Sequence, residues 1–272
     1  MLYGRILILM YSKEHLIFLK KRKRKKNFIC ISQIIIFFIF IAIWQILANY
    51  NLINTFIFSS PQKIINTIIS LYNSNKLFSN IWITVYETLI SFALSTLLGI
   101  IIATLLWWNK TLQKIIEPYL TILNSLPKVA LGPMIIIWFG AGIKSIIFMS
   151  LLISLILTII NVYEGFNNTD INKIKLMKSF KCKKYQLYFK LILPSNISTI
   201  INVLKINISM CLIGVIMGEF LVSKRGIGYL ILYGSQVFNL NLVISGIFIL
   251  CIVATLMYYM VNLIERIIIK YK

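Results

Sequence analysis

Residues 84–108 read TVYETLISFALSTLLGIIIATLLWW, a run of 25 residues with a single charged side chain, Glu87. A helix of about 20 apolar residues is long enough to cross the roughly 30 Å hydrocarbon layer of a membrane. The whole chain has the same character, because 59% of its 272 residues are hydrophobic and only 13% are charged. Soluble domains carry about twice that share of charge. The stretch therefore predicts a transmembrane helix and excludes a single water-soluble core.

Comparable apolar runs recur along the chain. Continuous runs of this length favour helices over a transmembrane β-barrel, whose strands alternate over about ten residues. The polar stretch 49–83 is predicted to be an external connection with a short helix after Pro61. We expect an all-α integral membrane protein, with residues 28–272 as one transmembrane domain and about six spans near 28–48, 84–108, 118–139, 143–163, 195–220 and 240–264.

The formal net charge of +21 is distributed unevenly. Nine of the 28 basic residues lie in the first 26 positions, and seven lysines lie within 173–190. Cytoplasmic loops carry such an excess, so both segments and both termini are predicted to be cytoplasmic. Residues 1–27 are interpreted as a basic tail that contacts anionic membrane lipid. Because these charges flank apolar runs, they argue against nucleic acid as a partner.

The residues that usually carry catalysis or bind metals are scarce and dispersed. Cys30, Cys182, Cys211 and Cys251 lack C-x-x-C spacing, which argues against a disulfide framework or a zinc site. The single histidine is His15, and the seven acidic residues form no plausible dyad. We therefore expect a protein that is not an enzyme and has no metal and no cofactor. A channel or a structural membrane protein stays open at this point.

Residues 164–194 form a basic loop in which apolar residues recur at roughly helical spacing. Such a segment lies on a membrane surface or inserts into a groove of a soluble partner, and the residues alone leave both interpretations open. The candidate partner-contact residues are Ile174, Met177, Phe180, Lys181, Leu187, Leu191 and Pro194.

Polar residues inside the predicted spans are costly to bury in lipid, so they usually face protein or water. Ser198, Asn202, Lys205 and Ser209 fall on one stripe of the fifth span. This stripe is predicted either to pack by interhelical hydrogen bonds or to line a pathway.

In the third span, Pro127, Gly132 and Pro133 predict a break or a packing kink. The lysines at 128 and 205 would favour an anion if both reached a pathway. Near the end of the fifth span, Glu219 is expected to shape an external mouth or a helix-ending turn closed by Gly226 and Gly228. The candidate pathway residues are Pro127, Lys128, Asn202, Lys205, Ser209 and Glu219.

The basic loop ends in Leu191-Ile192-Leu193-Pro194. This ending resembles the close of the cytoplasmic coupling loop in permeases of ATP-binding cassette (ABC) importers of the binding-protein-dependent type. At the matching spacing, Lys181 stands where that family has glycine, and residues 175–177 (KLM) stand where it has Glu-Ala-Ala.

Two further stretches resemble the nitrate, sulfonate and taurine branch of the same permeases. Residues 126–133 read LPKVALGP and continue to Trp138-Phe139-Gly140, and residues 218–231 read GEFLVSKRGIGYLI. The first is similar to the branch's third-span signature and the second to its signature after the fifth span. With the order of spans, the similarity covers roughly residues 80–265.

This resemblance implies a type I ABC importer permease fold, with six transmembrane helices and a cytoplasmic coupling helix, in a bacterial cytoplasmic membrane. It implies cytoplasmic ATPase subunits that supply the ATP hydrolysis, an extracytoplasmic substrate-binding protein and a second permease copy. The substrate that it implies is a small anion such as a sulfonate, taurine or nitrate. Import of a thiamine precursor or a similar small nutrient is the alternative, and a channel or structural role is a more distant one.

Overall fold

The computed structural model describes residues 13–270, and the first 12 residues of the predicted tail and the last two of the chain lie outside this range. In chain order the elements are α1 (Lys13–Asn49), α2 (Thr55–Phe58), α3 (Pro61–Asn73), α4 (Lys76–Trp108), α5 (Lys110–Ser125), a 3₁₀ turn (Lys128–Leu131), α6 (Gly132–Phe139), α7 (Ile143–Asn167), α8 (Ile171–Ser179), α9 (Lys184–Leu187), a π-helical turn (Tyr188–Ile192), α10 (Leu193–Ser195), α11 (Ile197–Val222), α12 (Ile227–Gln236) and α13 (Leu240–Lys270).

The described residues divide after Ile65 into two compact units. In the first unit, α1 is continuous through the run of lysines and arginines at 20–26. The predicted tail is therefore helical from Lys13 onward. The short helix α2 begins at an Asn54 cap, where the Asn54 side chain accepts a hydrogen bond from the Phe56 N–H at 2.9 Å. Helix α3 begins at Pro61, as predicted.

Within residues 13–270, five helices are long and apolar enough to cross a membrane: Ile17–Asn49, Lys76–Trp108, Ile143–Asn167, Ile197–Val222 and Leu240–Ile267. A sixth candidate is the pair Lys110–Ser125 and Lys128–Phe139, whose axes are bent by 88°. The all-α prediction with about six spans is confirmed. The first, second, fourth and sixth predicted spans each lie within one helix, and the fifth does so from Ile197 onward.

The third predicted span, 118–139, is divided between two helices. The first helix begins at Lys110, includes Pro118 and ends at Ser125. Leu126 takes an extended conformation (φ −66°, ψ 138°) because the following Pro127 disfavours helical geometry in the preceding residue. A new helix then begins with Pro133 at its second position, where the missing N–H costs nothing. The predicted break is therefore confirmed, and it is a sharp bend.

The centre of the second unit is the packing of α11 against α7. Gly214 and Gly218 form a G-x-x-x-G pair that lets the two backbones approach closely. A Cβ atom at Gly214 would overlap the Ser150 backbone, and one at Gly218 would lie 2.9 Å from the Ile146 Cα. Ser150 adds a direct tie, because its Oγ donates to the Cys211 carbonyl at 2.9 Å.

Two buried apolar clusters flank this centre. One joins α11, α12 and α13 through residues such as Ile216, Ile227 and Val253. The other joins the ends of α4, α7 and α11 to the segment after α8, through residues such as Val162 and Ile192. The second cluster matters for function because it holds the coupling segment, which we define as residues 171–195, against the membrane helices.

Candidate functional site

The coupling segment consists of α8, a turn at 180–183, and a second helical stretch from Lys184 to Ser195 with a π-helical centre. Asp170 caps α8 by accepting a hydrogen bond from the Asn172 N–H at 2.8 Å. The two ends of the loop are tied together, because Asn196 Nδ2 donates to Thr169 Oγ1 at 2.8 Å. The structure thus divides what the spacing suggested was one amphipathic helix into two.

The apolar residues of this segment point in two directions. Ile174, Met177 and Leu191 pack on the cluster that contains Phe166, and Leu187 is itself buried in it. These four side chains pack against the protein's own helices. Pro194 is half-buried in α10 and continues the same inner stretch toward α11.

A different set of apolar side chains faces outward. Phe180 is 74% exposed, and Ile171 and Leu176 on α8 are also exposed. These three residues form what we call the outer patch of the coupling segment. The sequence analysis singled out Phe180 but missed Ile171 and Leu176. Phase could have identified Leu176, which falls between the inward positions Ile174 and Met177. Ile171 is three residues before Ile174, so helical spacing gave no signal that it faces outward.

Lys181 takes a left-handed conformation with φ 53°. For a residue other than glycine this conformation costs roughly 1–2 kcal/mol. The Lys181 amide donates to the Lys178 carbonyl at 2.9 Å, which closes the turn after α8. The resemblance places a glycine at this position, and glycine adopts a positive φ without steric cost. Lys181 adopts the same conformation with strain.

Tyr188 fastens the coupling segment to α4. Its hydroxyl lies 2.7 Å from Thr104 Oγ1, and its ring packs at 5.3 Å from Trp107 and 5.7 Å from Phe166. The side chain is buried. Tyr188 therefore ties the segment to the C-terminal ends of α4 and α7.

On α11 most of the predicted polar stripe lies on an exposed face. Ser198, Asn202 and Ser209 are exposed, together with the apolar Ile206 and Ile213. Asn202 also lines a polar cavity of about 500 Å³ beside Glu164 and other polar residues. Within the stripe, Lys205 bonds to Glu265 on α13. Buried Asn207, outside the stripe, joins α11 to α4 by donating to Ser95 Oγ at 3.0 Å and Thr96 Oγ1 at 2.7 Å.

Lys205 is not a free cation in the stripe. Its Nζ lies 2.6 Å from Glu265 Oε2, and the two side chains are 18% and 22% exposed. Lys128, in the 3₁₀ turn after the bend, donates instead to the Asn124 carbonyl at 3.2 Å and to the Asn124 side chain at 3.4 Å. Each of the two lysines thus has a partner within the described chain, Asn124 for Lys128 and Glu265 for Lys205. Pro127 is exposed at the bend itself.

Glu219 is fully buried, at 0% exposure. Its carboxyl group accepts hydrogen bonds from Thr84 Oγ1 at 2.6 Å and from the Gly228 N–H at 2.5 Å. Gly226 has a φ of 112°, and a Cβ there would overlap the Glu219 carboxyl group. The helix-ending turn that was the other expectation is therefore present, and Glu219 closes it.

A second acid, Glu87, was not predicted as a site residue although it stands in the apolar run of α4. It is 1% exposed and interacts with Glu219, and its Oε2 has no hydrogen-bond partner among the described residues. Within residues 13–270, no group of three or more His, Cys, Asp and Glu side chains is arranged to hold a metal ion.

A family model described as "Binding-protein-dependent transport system inner membrane component" matches residues 95–270. This match includes the bend, the coupling segment and the Glu219 turn. The chain belongs to this family. It is the permease subunit of an ABC importer and not an enzyme, and in this family ATP hydrolysis belongs to a separate subunit.

The permease is similar to several curated proteins over nearly its whole length. It is 26% identical to the putative aliphatic sulfonates transport permease protein SsuC of Bacillus subtilis, over 93% of this chain and 92% of that protein. It is 27% identical to the formylaminopyrimidine transport permease protein ThiX of Halalkalibacterium halodurans, over 91% of this chain and 98% of that protein. It is 20% identical to the taurine transport system permease protein TauC of Escherichia coli, over 80% of this chain and 82% of that protein. These relatives agree with the nitrate, sulfonate and taurine branch.

Among solved structures, the permease resembles a chain of the inward-facing MetNI methionine ABC transporter, with a TM-score of 0.62 and 18% identity. The match covers 70% of this permease and 95% of that chain. This likeness confirms the type I permease fold.

Proposed function

We propose that this permease imports a small polar solute across a bacterial cytoplasmic membrane, with both termini in the cytoplasm. The orientation is supported by the lysine and arginine run at 20–26 before the apolar part of α1 and by the seven lysines at 173–190, because such residues concentrate on the cytoplasmic side. In this orientation the coupling segment is cytoplasmic and the Glu219 turn faces outward.

The observation that carries the proposal is the outer patch. Ile171, Leu176 and Phe180 are exposed on a short helix whose opposite side is packed onto the membrane helices. An exposed apolar face on a helix fits a groove on a soluble partner, and an ATPase subunit is the partner that this family requires. Closure of the ATPases would move α8 as a rigid body, and Tyr188 would pass that movement to α4 and α7.

A second copy of the permease is proposed to cover the exposed face of α11. This face alternates Asn202 and Ser209 with the apolar Ile206 and Ile213. Small and polar residues on a membrane helix favour contact with protein or water over lipid. Two copies facing each other through α11 would enclose a pathway lined by amide and hydroxyl groups.

The first candidate substrate is an aliphatic sulfonate or a related small anion such as taurine, on the similarity to SsuC and TauC. The second is a neutral thiamine precursor, as for ThiX. One observation favours the second candidate: Glu265 neutralises Lys205, so the α11 face presents no free cation at that position. An external binding protein is proposed to deliver either solute.

The proposal is tested by purifying tagged permease in mild detergent together with its ATPase and binding protein, and reconstituting the complex in vesicles. ATP-dependent uptake of a labelled alkanesulfonate, taurine and formylaminopyrimidine would be compared, and the mass of the complex would give the number of permease copies. We expect two permeases, two ATPases and uptake of one substrate class. A lone permease without ATPase, or ATP-independent flux, would contradict the importer assignment.

A further inference from the structure

A cavity of about 800 Å³ lies where the inner end of α4, the start of α5 and the coupling segment meet. Four lysines line it, Lys110 and Lys114 from α5, Lys178 from α8 and Lys184 from α9. The cavity lining contains no aspartate or glutamate. We call it the basic cavity.

The charge of the basic cavity is uncompensated by the described part of the chain. Lys110, Lys114 and Lys178 form no ion pair with any carboxylate of residues 13–270. Glu117 is the nearest acid along α5, and its carboxylate accepts instead from Gln113 Nε2 at 2.5 Å. Lys184 Nζ donates to the Trp108 carbonyl at 2.5 Å, which leaves its charge without a carboxylate partner. Four cations that line one cavity without a counter-charge favour an anion in that cavity.

Aromatic and apolar side chains place this cavity at the boundary between headgroups and hydrocarbon. Trp107 lines it, and the Lys184 Nζ lies 5.9 Å from the Trp107 ring and 6.0 Å from the Trp108 ring. Tryptophan at the end of a membrane helix marks the headgroup level. Buried Leu106 lines the same cavity, so cationic groups and an apolar wall lie together.

Exposed apolar residues continue from the cavity along both helices that lead to it. On α4, Ile101, Leu105 and Trp108 are exposed at i, i+4 and i+7, and on α5 Ile115 and Tyr119 are exposed one turn apart. A soluble anion would use only the lysines. A molecule with a charged head and an acyl chain would use both surfaces.

We propose that the basic cavity binds the headgroup of an anionic phospholipid, such as phosphatidylglycerol, with its phosphate among the four lysines. Because Lys178 and Lys184 belong to the coupling segment, the lipid would bridge that segment to α5 and stabilise its position. The choice of the inner leaflet rests on the orientation given under the proposed function. The lipid site itself does not depend on the identity of the imported solute.

The test uses the permease in complex with its ATPase, in nanodiscs of phosphatidylcholine with increasing phosphatidylglycerol. The variant is Lys110→Gln/Lys114→Gln, which leaves the coupling segment untouched. The matched control is Lys183→Gln/Lys190→Gln, which removes the same charge from two exposed lysines that do not line the cavity. Native mass spectrometry counts the phosphatidylglycerol molecules retained by each complex after detergent exchange.

We expect wild type and control to retain a tightly bound phosphatidylglycerol. The α5 variant should bind it roughly 30-fold more weakly, since each lysine near an anionic membrane contributes about a factor of five. If the control loses as much bound phosphatidylglycerol as the α5 variant, general surface charge binds the lipid and the proposed site is wrong. Displacement of the lipid by millimolar inorganic phosphate would overturn it in favour of a soluble anion. If the α5 variant retains all of its lipid but loses the ATPase, the cavity binds a protein partner and the lipid proposal is wrong.

Discussion

Lys205 Nζ on α11 lies 2.6 Å from Glu265 Oε2 on α13, 60 positions later in the chain. This pair gives the lysine the counter-charge that a cation in a membrane helix needs. It also links the helix with the exposed polar face to the last helix of the chain. The charge on α11 is thereby neutralised, and what the face offers a solute is hydrogen bonding.

The ion pair predicts a specific pattern of stability. Lys205→Met leaves the Glu265 carboxylate without its partner in a largely buried position, so we expect a loss of about 2 kcal/mol. Lys205→Met/Glu265→Gln removes both charges and should recover most of that loss. The measurement is thermal unfolding of the purified complex in detergent. Equal melting temperatures for the single and double variants would show that the two side chains act independently.

The same variants separate a structural role for Lys205 from a role in attracting the solute. If the lysine acts only through Glu265, the double variant should also recover uptake. If an anionic solute uses the lysine directly, uptake should stay low in the double variant although its stability recovers. The second pattern would favour a sulfonate and the first a neutral solute.

Phe180 is predicted to be the central contact for the ATPase. Its side chain is 74% exposed at the end of α8, so Phe180→Asp should leave the fold intact and place a charge in the partner's groove. We expect loss of ATPase copurification and of ATP-dependent uptake, with unchanged membrane insertion. Phe238→Asp is the matched control, because Phe238 is 73% exposed and lies in the turn before α13. If the ATPase copurifies normally with the Phe180→Asp permease, the outer patch is not the docking surface.

Lys181 is predicted to be a strained position that glycine relieves. With φ at 53°, Lys181→Gly should stabilise the turn by about 1 kcal/mol, whereas Lys181→Ala should bring no gain. Lys183→Gly is the control, since Lys183 has an ordinary φ of −72°. Limited proteolysis within 178–184 measures the local stability. Faster cleavage in Lys181→Gly than in wild type would contradict the strain argument.

Most of the fold followed from the sequence because long apolar runs have few ways to satisfy their backbones in lipid. The bend at Pro127 was visible as a break, but its angle of 88° was not. Proline lacks a backbone N–H donor and restricts the conformation of the preceding residue. The direction of the chain after the bend depends on tertiary packing, which the spacing of residues does not encode. The start of α5 at Lys110 was missed because its polar first turns carry little hydropathy signal.

The candidate site was harder to predict from the sequence than the fold, because its contacts depend on tertiary packing. Periodicity located the coupling segment, but the turn at 180–183 interrupts the helix, so spacing counted across it put inward and outward residues into one set. The partner of Lys205 lies 60 positions away, and the burial of Glu219 depends on Thr84 in another helix. Long-range pairs of this kind leave no trace in local spacing.

Glu219 is predicted to hold the outward turn closed. Its carboxyl group accepts from Thr84 and from the Gly228 amide, so Glu219→Ala should leave those donors unsatisfied and cost about 1–3 kcal/mol. Glu219→Gln keeps the shape and one carbonyl acceptor, and should cost less. Gly226→Ala should resemble Glu219→Ala, because its methyl group would overlap the same carboxyl and φ is 112°. Uptake and thermal unfolding measured together decide the role: a loss of both in Glu219→Ala and Gly226→Ala supports a structural latch. Lost uptake at unchanged stability would instead return Glu219 to the transport pathway.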